Sequence, residues 1–193
     1  MNKSRLEAFS DGVIAILITI MVLELKLPKD ANWQSLKELW PVVVSYLISF
    51  ISLGIYWVNH HHLIHTVKTI SGGIMWANLH LLFWLSLVPF ATGWMGESHF
   101  ARNTVIAYTT LATIAGFAYY ILISMIRTCN KQDERLKIVL DKQSKKGMWS
   151  NILNAASALL AFIHPAISLG VLLIVYIIWF IPDKNIEKVL REN

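Results

Sequence analysis

Histidine is the residue type in this sequence best able to do chemistry, and several histidines lie within one short stretch. Two histidines one helical turn apart, such as His61 and His65, can hold a transition metal. An enzyme built on such a metal would also need nearby carboxylates, but Glu38 and Glu97 are the only acids between residues 30 and 133. A histidine–metal membrane enzyme is one interpretation, and the missing carboxylates count against it. The histidines of this stretch are His60, His61, His62 and His65.

A carboxylate, that of Asp11, stands directly before a long apolar run that ends at Pro28. A charge at the end of an apolar helix is costly unless it has a partner or touches water. Near the start of a helix, Ser10 or Asp11 could cap the free backbone N–H groups, and Arg5 could neutralise the carboxylate. Such a cap would explain Asp11 structurally, without contact to an ion.

The apolar run carries a stripe of residues at helical spacing, which a 3.6-residue turn places along one face. Packing against lipid or a protein core explains most stripes of this kind. The threonine in it adds little, because its hydroxyl can bond back to a carbonyl one turn earlier. The stripe consists of Gly12, Ile16, Thr19, Ile20, Leu23 and Leu27.

Two later apolar segments contain polar side chains that would need partners inside a membrane. Hydrogen bonds between helices are the usual partners for a buried Asn or His. We therefore expect Trp57, His60, Asn78 and Asp11 to form a polar cluster that fastens the first three helices together.

Composition indicates an integral membrane protein with an all-α fold. Of the 193 residues, 55% are hydrophobic and 15% charged, and the mean hydropathy is +0.53. Soluble domains contain about 25% charged residues. No polar stretch is long enough to fold separately, so residues 1–193 are expected to form a single domain. The single Cys129 excludes an intrachain disulfide and a cysteine zinc site.

Six apolar segments are candidates for membrane crossings, which need roughly 20 residues each. The first is expected to be a retained span and not a cleaved signal peptide. The last two are separated by His164-Pro165, because proline disfavours helix at the residue before it. A tight hairpin is expected there, and residues 127–147 are expected to form a loop. The predicted spans are 9–27, 39–64, 74–95, 101–126, 148–163 and 166–181.

Most of the 17 Lys and Arg residues lie on one side of this six-span arrangement. The positive-inside rule therefore predicts that both termini are cytoplasmic, in a multi-pass protein of the plasma membrane. The basic loop has no interleaved aromatics and faces anionic lipid, so nucleic acid is not an expected partner. Its basic residues are Arg127, Lys131, Arg135, Lys137, Lys142, Lys145 and Lys146, and the tail adds Lys184, Lys188 and Arg191.

The motifs in residues 5–92 resemble those of the transmembrane protein 175 family, the endosomal and lysosomal potassium channels and their bacterial relatives. Arg5 is followed by Phe9-Ser10-Asp11-Gly12 and by an apolar helix that ends in "MVLELKLP". "YW-x-x-HH", which ends at His61, and "N-x-x-L-L-F", which begins at Asn78, also match. His62 departs from the pattern, since relatives often carry Arg there.

The resemblance implies six helices per chain, with the first helix lining a central pore in a homotetramer. One helix with one apolar stripe cannot enclose a path, and rotational symmetry would supply the other copies. The family pattern places the narrowest layer at Ile16, further layers at Ile20 and Leu23, and a pore-facing hydroxyl at Thr19. It makes Phe9-Ser10-Asp11 a structural anchor.

The expected function is therefore a potassium-preferring cation channel with a hydrophobic constriction, and not an enzyme. The carbonyl filter signature Thr-Val-Gly-Tyr-Gly is absent from the sequence. No cofactor or resident metal is expected; potassium would be present only as the permeant ion, with lipid and monovalent cations as partners. A small proton-coupled carrier is the main alternative, but carriers usually show repeats and a mid-membrane acid, and this sequence shows neither.

Overall fold

The computed structural model describes residues 2–28, 30–67, 69–129 and 134–181, with the side chain of Arg135 excepted. Within these ranges the chain is helical and contains no strand, as the composition predicts. The helices are α1 (Lys3–Ile20), continued by a 3₁₀ turn (Met21–Glu24), α2 (Trp33–Glu38), α3 (Trp40–His65), α4 (Gly72–Ser86), α5 (Val88–Glu97), α6 (Arg102–Cys129), α7 (Glu134–Leu160) and α8 (Pro165–Phe180).

The first helix begins earlier than the predicted span 9–27. Asn2 caps it, with Oδ1 accepting from the backbone N–H of Ser4 at 3.4 Å. Ser10 and Asp11 consequently lie in the third turn, and the prediction that either caps the helix is wrong. At the other end, Pro28 disfavours helix before it, and the chain tightens into the 3₁₀ turn.

Helices α3 and α6 start within one residue of predicted spans 39–64 and 101–126. The predicted span 74–95 is divided into α4 and α5 at Leu87. Pro89 causes the break, because it has no N–H to donate to the carbonyl one turn earlier. Among the described residues, four stretches are long and apolar enough to cross a membrane: Lys3–Glu24, Trp40–His65, Gly72–Glu97 and Arg102–Cys129.

The predicted loop at 127–147 is wrong for the part of it that the structure describes. Helix α6 continues to Cys129, and α7 starts at Glu134, well before the predicted span 148–163. Arg127 and Asp141 form an ion pair of 2.7 Å between α6 and α7. Lys131 and the tail residues Lys184, Lys188 and Arg191 lie outside the described residues.

Helices α7 and α8 form the tight hairpin that the His164-Pro165 step predicts. The side chain of His164 caps α8 by accepting from the backbone N–H of Ala166 at 3.1 Å. Ser157 Oγ on α7 donates to the backbone oxygen of Ser168 on α8 at 2.7 Å. At 16 residues, α8 is shorter than the roughly 20 of an ordinary crossing.

Small and polar residues form the closest contact between α3 and α5. A Cβ on Gly96 would lie 2.8 Å from the Cα of Val42 and 2.4 Å from Ser45 Oγ. One turn before Gly96 on α5, Thr92 Oγ1 donates to Ser49 Oγ on α3 at 2.6 Å. Close approach at small residues and hydrogen bonds between helices are the usual means of helix association in membranes.

Candidate functional site

Helix α1 has one buried face, which packs against α3 and α4. The side chains of this face follow each other at intervals of three or four residues, so they form one stripe along the helix. None is more than 6% exposed. The buried residues are Leu6, Ser10, Ile14, Leu17 and, at the start of the 3₁₀ turn, Met21.

The opposite face of α1 is apolar and uncovered by the described residues of the chain. Ile16 is 59% exposed, Ile20 40% and Leu23 76%. Leu23 lies in the 3₁₀ turn, where residues three apart are aligned, so it stays on the face of Ile20. Thr19 is exposed beside them, and its Oγ1 donates to the backbone oxygen of Ile16 at 2.9 Å. The predicted stripe is therefore the exposed side of the helix.

A chain of buried hydrogen bonds fixes the orientation of α1. Asn78 Nδ2 on α4 donates to Ser10 Oγ at 2.9 Å, and Ser10 Oγ donates to the backbone oxygen of Leu6 at 2.8 Å. Asn78 Oδ1 lies 2.7 Å from His60 Nε2 on α3. Because the Asn78 oxygen can only accept, His60 donates from Nε2. The structure thus brings together Asn78 and His60, two members of the predicted cluster, and adds Ser10 as their partner on α1.

Trp57, Asp11 and Arg5 lie outside this hydrogen-bonded chain, which corrects the predicted cluster. The ring of Trp57 is 43% exposed and packs on His61 at 6.4 Å. Asp11 Oδ1 is buried and has no hydrogen-bond partner among the described residues. Arg5 is exposed and forms no ion pair with Asp11 within the described chain, because residues six apart lie on different sides of a helix.

Glu7 is a residue that the sequence pattern did not single out. Its side chain is only 19% exposed, and its Oε1 lies 3.3 Å from His61 Nδ1 and 3.4 Å from His65 Nδ1. A carboxylate near the histidine stretch, which the nearby sequence lacks, therefore comes from α1. Glu7 lies one turn before Asp11 on the same helix face, and this spacing could have indicated it in the sequence.

The far end of α1 is tied to α5 by charged residues. Lys26 and Glu97 form an ion pair, and the hydrogen bond and charge of Glu97 raise the pKa of Lys26. The Glu24 carboxylate lies against Gly93, where a Cβ would meet it. These contacts hold the segment after the exposed stripe close to α5.

Comparison with known proteins decides the family. A family model described as the endosomal/lysosomal potassium channel TMEM175 matches residues 5–89. A potassium channel from Chryseobacterium sp. (strain P1-3) is 50% identical over 193 residues, which is the whole of both chains. The chain belongs to the TMEM175 family. The predicted resemblance is therefore confirmed.

Other TMEM175 relatives cover different shares of the chain. The crystal structure of a lysosomal potassium-selective channel TMEM175 homolog from Chamaesiphon minutus superposes with a TM-score of 0.84 at 30% identity, covering 92% of this chain and 95% of that one. The rat endosomal/lysosomal proton channel TMEM175 is 31% identical over 115 residues, which are 53% of this chain and 23% of the rat protein. Because these relatives are named as ion channels, the membrane-enzyme interpretation loses support.

Proposed function

We propose that this chain forms a potassium-preferring cation channel of the plasma membrane, in which α1 of four identical subunits lines one central pore. The uncovered apolar face of α1 carries this proposal. The other face is held by buried side chains and by the bond from Asn78 to Ser10. A helix fixed in this way presents Ile16, Ile20 and Leu23 outward, where lipid or another subunit must cover them.

Rotational symmetry would allow the exposed face of α1 to line a pore. A single helix cannot enclose an aqueous path, whereas rotational symmetry places several copies of one face around an axis. The relatives from Chryseobacterium and Chamaesiphon are named as potassium channels, which supports the same use of the fold here. Four copies is the number that the family resemblance implies, so we propose a homotetramer with one pore for four chains.

The constriction is formed by rings of branched aliphatic side chains, with Ile16 as the narrowest layer. Such rings can gate by dewetting, and selectivity does not require a carbonyl filter. An ion that passes Ile16 must lose part of its water, which costs less for potassium than for the smaller sodium ion. Calcium is excluded more strongly, because a divalent ion holds its water more tightly. Thr19 donates its proton to the backbone, so it offers cations only its oxygen lone pairs.

Six crossings and cytoplasmic termini complete the proposal. Helices α7 and α8 would be the fifth and sixth crossings, as an antiparallel hairpin. The N-terminal end of α1 lies beside the C-terminal end of α3, since Lys3 Nζ donates to the backbone oxygen of His65 at 2.6 Å. Cys129 at the end of α6 contacts Ser71 before α4 at the same end of the bundle. Basic residues gather at this end, so the positive-inside rule makes it cytoplasmic.

Reconstitution into planar bilayers tests this function. Purified protein is recorded under opposed potassium and sodium gradients, and native mass spectrometry counts the subunits. We expect a reversal potential that is shifted from zero toward the potassium equilibrium potential. We also expect four chains per particle. Saturable flux with counterflow would instead indicate the carrier, and a monomeric particle that conducts would rule out the shared pore.

A further inference from the structure

We infer that Glu7, His61 and His65 form a binding site for a divalent transition metal ion such as zinc, which joins α1 to α3. Glu7 comes from α1, and the two histidines lie one turn apart near the C-terminal end of α3. One ligand atom from each of the three side chains lies within 4.8 Å of the other two. The site is separate from the buried bond between Ser10 and Asn78.

The distances fit a tetrahedral metal centre. Zinc binds imidazole nitrogen and carboxylate oxygen at about 2.0–2.2 Å, so neighbouring ligand atoms in a tetrahedron are about 3.3–3.6 Å apart. Glu7 Oε1 lies 3.3 Å from His61 Nδ1 and 3.4 Å from His65 Nδ1. Two of the three separations are therefore already close to the spacing that one ion would impose, and the two histidine ligand atoms lie within 4.8 Å of each other.

The side chains are held in place for such an ion. Glu7 is largely buried, and the rings of His61 and His65 stack at 5.7 Å with an interplanar angle of 27°. His61 Nδ1 is buried and makes no hydrogen bond within the described chain, so with the ring proton on Nε2 its lone pair could bind an ion. A fourth ligand can be water or Asp11, whose Oδ2 lies 4.0 Å from His61 Nδ1.

The donor set selects the class of metal. Two imidazoles and one carboxylate suit zinc and its neighbours in the first transition row, whereas magnesium and calcium prefer oxygen ligands alone. The ligands come from two helices, and a bound ion would fix one helix against the other.

A consequence for conduction rests on the proposed function, in which α1 lines the pore. A metal that ties α1 to α3 would restrain the pore-lining helix and add positive charge beside Asp11. We therefore expect zinc applied from the cytoplasmic side to lower the potassium current. The binding itself does not depend on conduction and can be measured alone.

Calorimetric titration of chelator-treated protein with zinc chloride tests the site. We expect one zinc per subunit, and at least a tenfold loss of affinity in both Glu7→Gln and His65→Ala, since even outer groups of metal sites are worth about 10–100-fold. His62→Ala is the matched control, because its ring contacts His61 but its nitrogens are not part of the cluster. Each variant must first elute from a size-exclusion column at the same volume as the wild-type assembly.

The outcomes separate the two claims. Absence of stoichiometric zinc from the wild-type protein, or an equal loss of affinity in His62→Ala, would overturn the site. Zinc inhibition of current that disappears in His65→Ala would support the restraint on α1. Zinc binding without any change in current would overturn that restraint but leave the site, and a wild-type protein that does not conduct would instead contradict the proposed function.

Discussion

Asn78 on α4 donates a hydrogen bond of 2.9 Å to Ser10 on α1, and both side chains are fully buried. This bond helps the buried apolar side chains of α1 to fix which side of the helix faces the protein. With Ser10 turned inward, Ile16 and Thr19 must turn outward, because they lie on the other side of the helix. The orientation of the proposed pore face thus depends on the polar contact together with the buried apolar residues of the opposite face.

Replacing Asn78 with alanine should destabilise the assembled protein. The substitution leaves Ser10 and His60 without the partners they have in the native fold, and an unsatisfied buried polar group costs about 1–3 kcal/mol. Thermal stability followed by size-exclusion elution measures the loss. Asn103→Ala, at an exposed position of α6, should leave the melting temperature unchanged. Equal melting temperatures for the two variants would show that the Asn78 bonds do not hold α1.

Asp11→Asn should cost less stability than Asn78→Ala, although both positions lie at the same end of the bundle. Asp11 Oδ1 is buried without a partner among the described residues, so the native protein has no hydrogen bond there to lose. Removing a charge that is not fully paired also relieves a desolvation cost. The same elution-based melting experiment compares the two variants directly. A larger loss for Asp11→Asn would mean that its carboxylate has a structural partner in the assembly.

The sequence predicted the elements that depend on local pattern. The thickness of the bilayer fixes the length of a crossing helix, which is why apolar runs located α3 and α6 closely. The stripe containing Ile16 and Ile20 followed from the helical period alone. The contact of Asn78 with His60 followed from the need of buried polar groups in lipid for partners, whereas Ser10 as the partner of Asn78 on α1 was not predicted.

Other features could not be predicted from the sequence, because their sequence patterns are weak or because they depend on how the helices pack. Residues 134–147 are polar overall, and this obscured an amphipathic helix whose buried side chains recur at helical spacing. Glu7 and the histidines of α3 are far apart in the sequence, so only the packing of α1 against α3 brings them together. The buried residues of this segment, 134–147, are Leu136, Val139, Leu140, Gln143, Ser144 and Gly147.

Gly96→Ala should weaken the packing of α3 on α5. The new Cβ would lie 2.8 Å from the backbone of Val42, which cannot move aside as a flexible side chain can. Overpacking of this kind typically costs 1–3 kcal/mol. Gly54→Ala is the matched control, because a Cβ there meets nothing within 4 Å and alanine favours helix. The yield and melting temperature of both variants should be measured, and a loss for Gly54→Ala equal to that for Gly96→Ala would contradict this packing.

The most direct test of the central claim is the reversal potential of Ile16→Asn channels under a potassium/sodium gradient. Four asparagine side chains, one from each subunit, would let water into the constriction. We therefore predict that the potassium preference falls and the reversal potential moves toward zero. Ile177→Asn, at an exposed position on α8, should keep the wild-type value. An unchanged reversal potential in an assembled Ile16→Asn tetramer would contradict a selective constriction at Ile16.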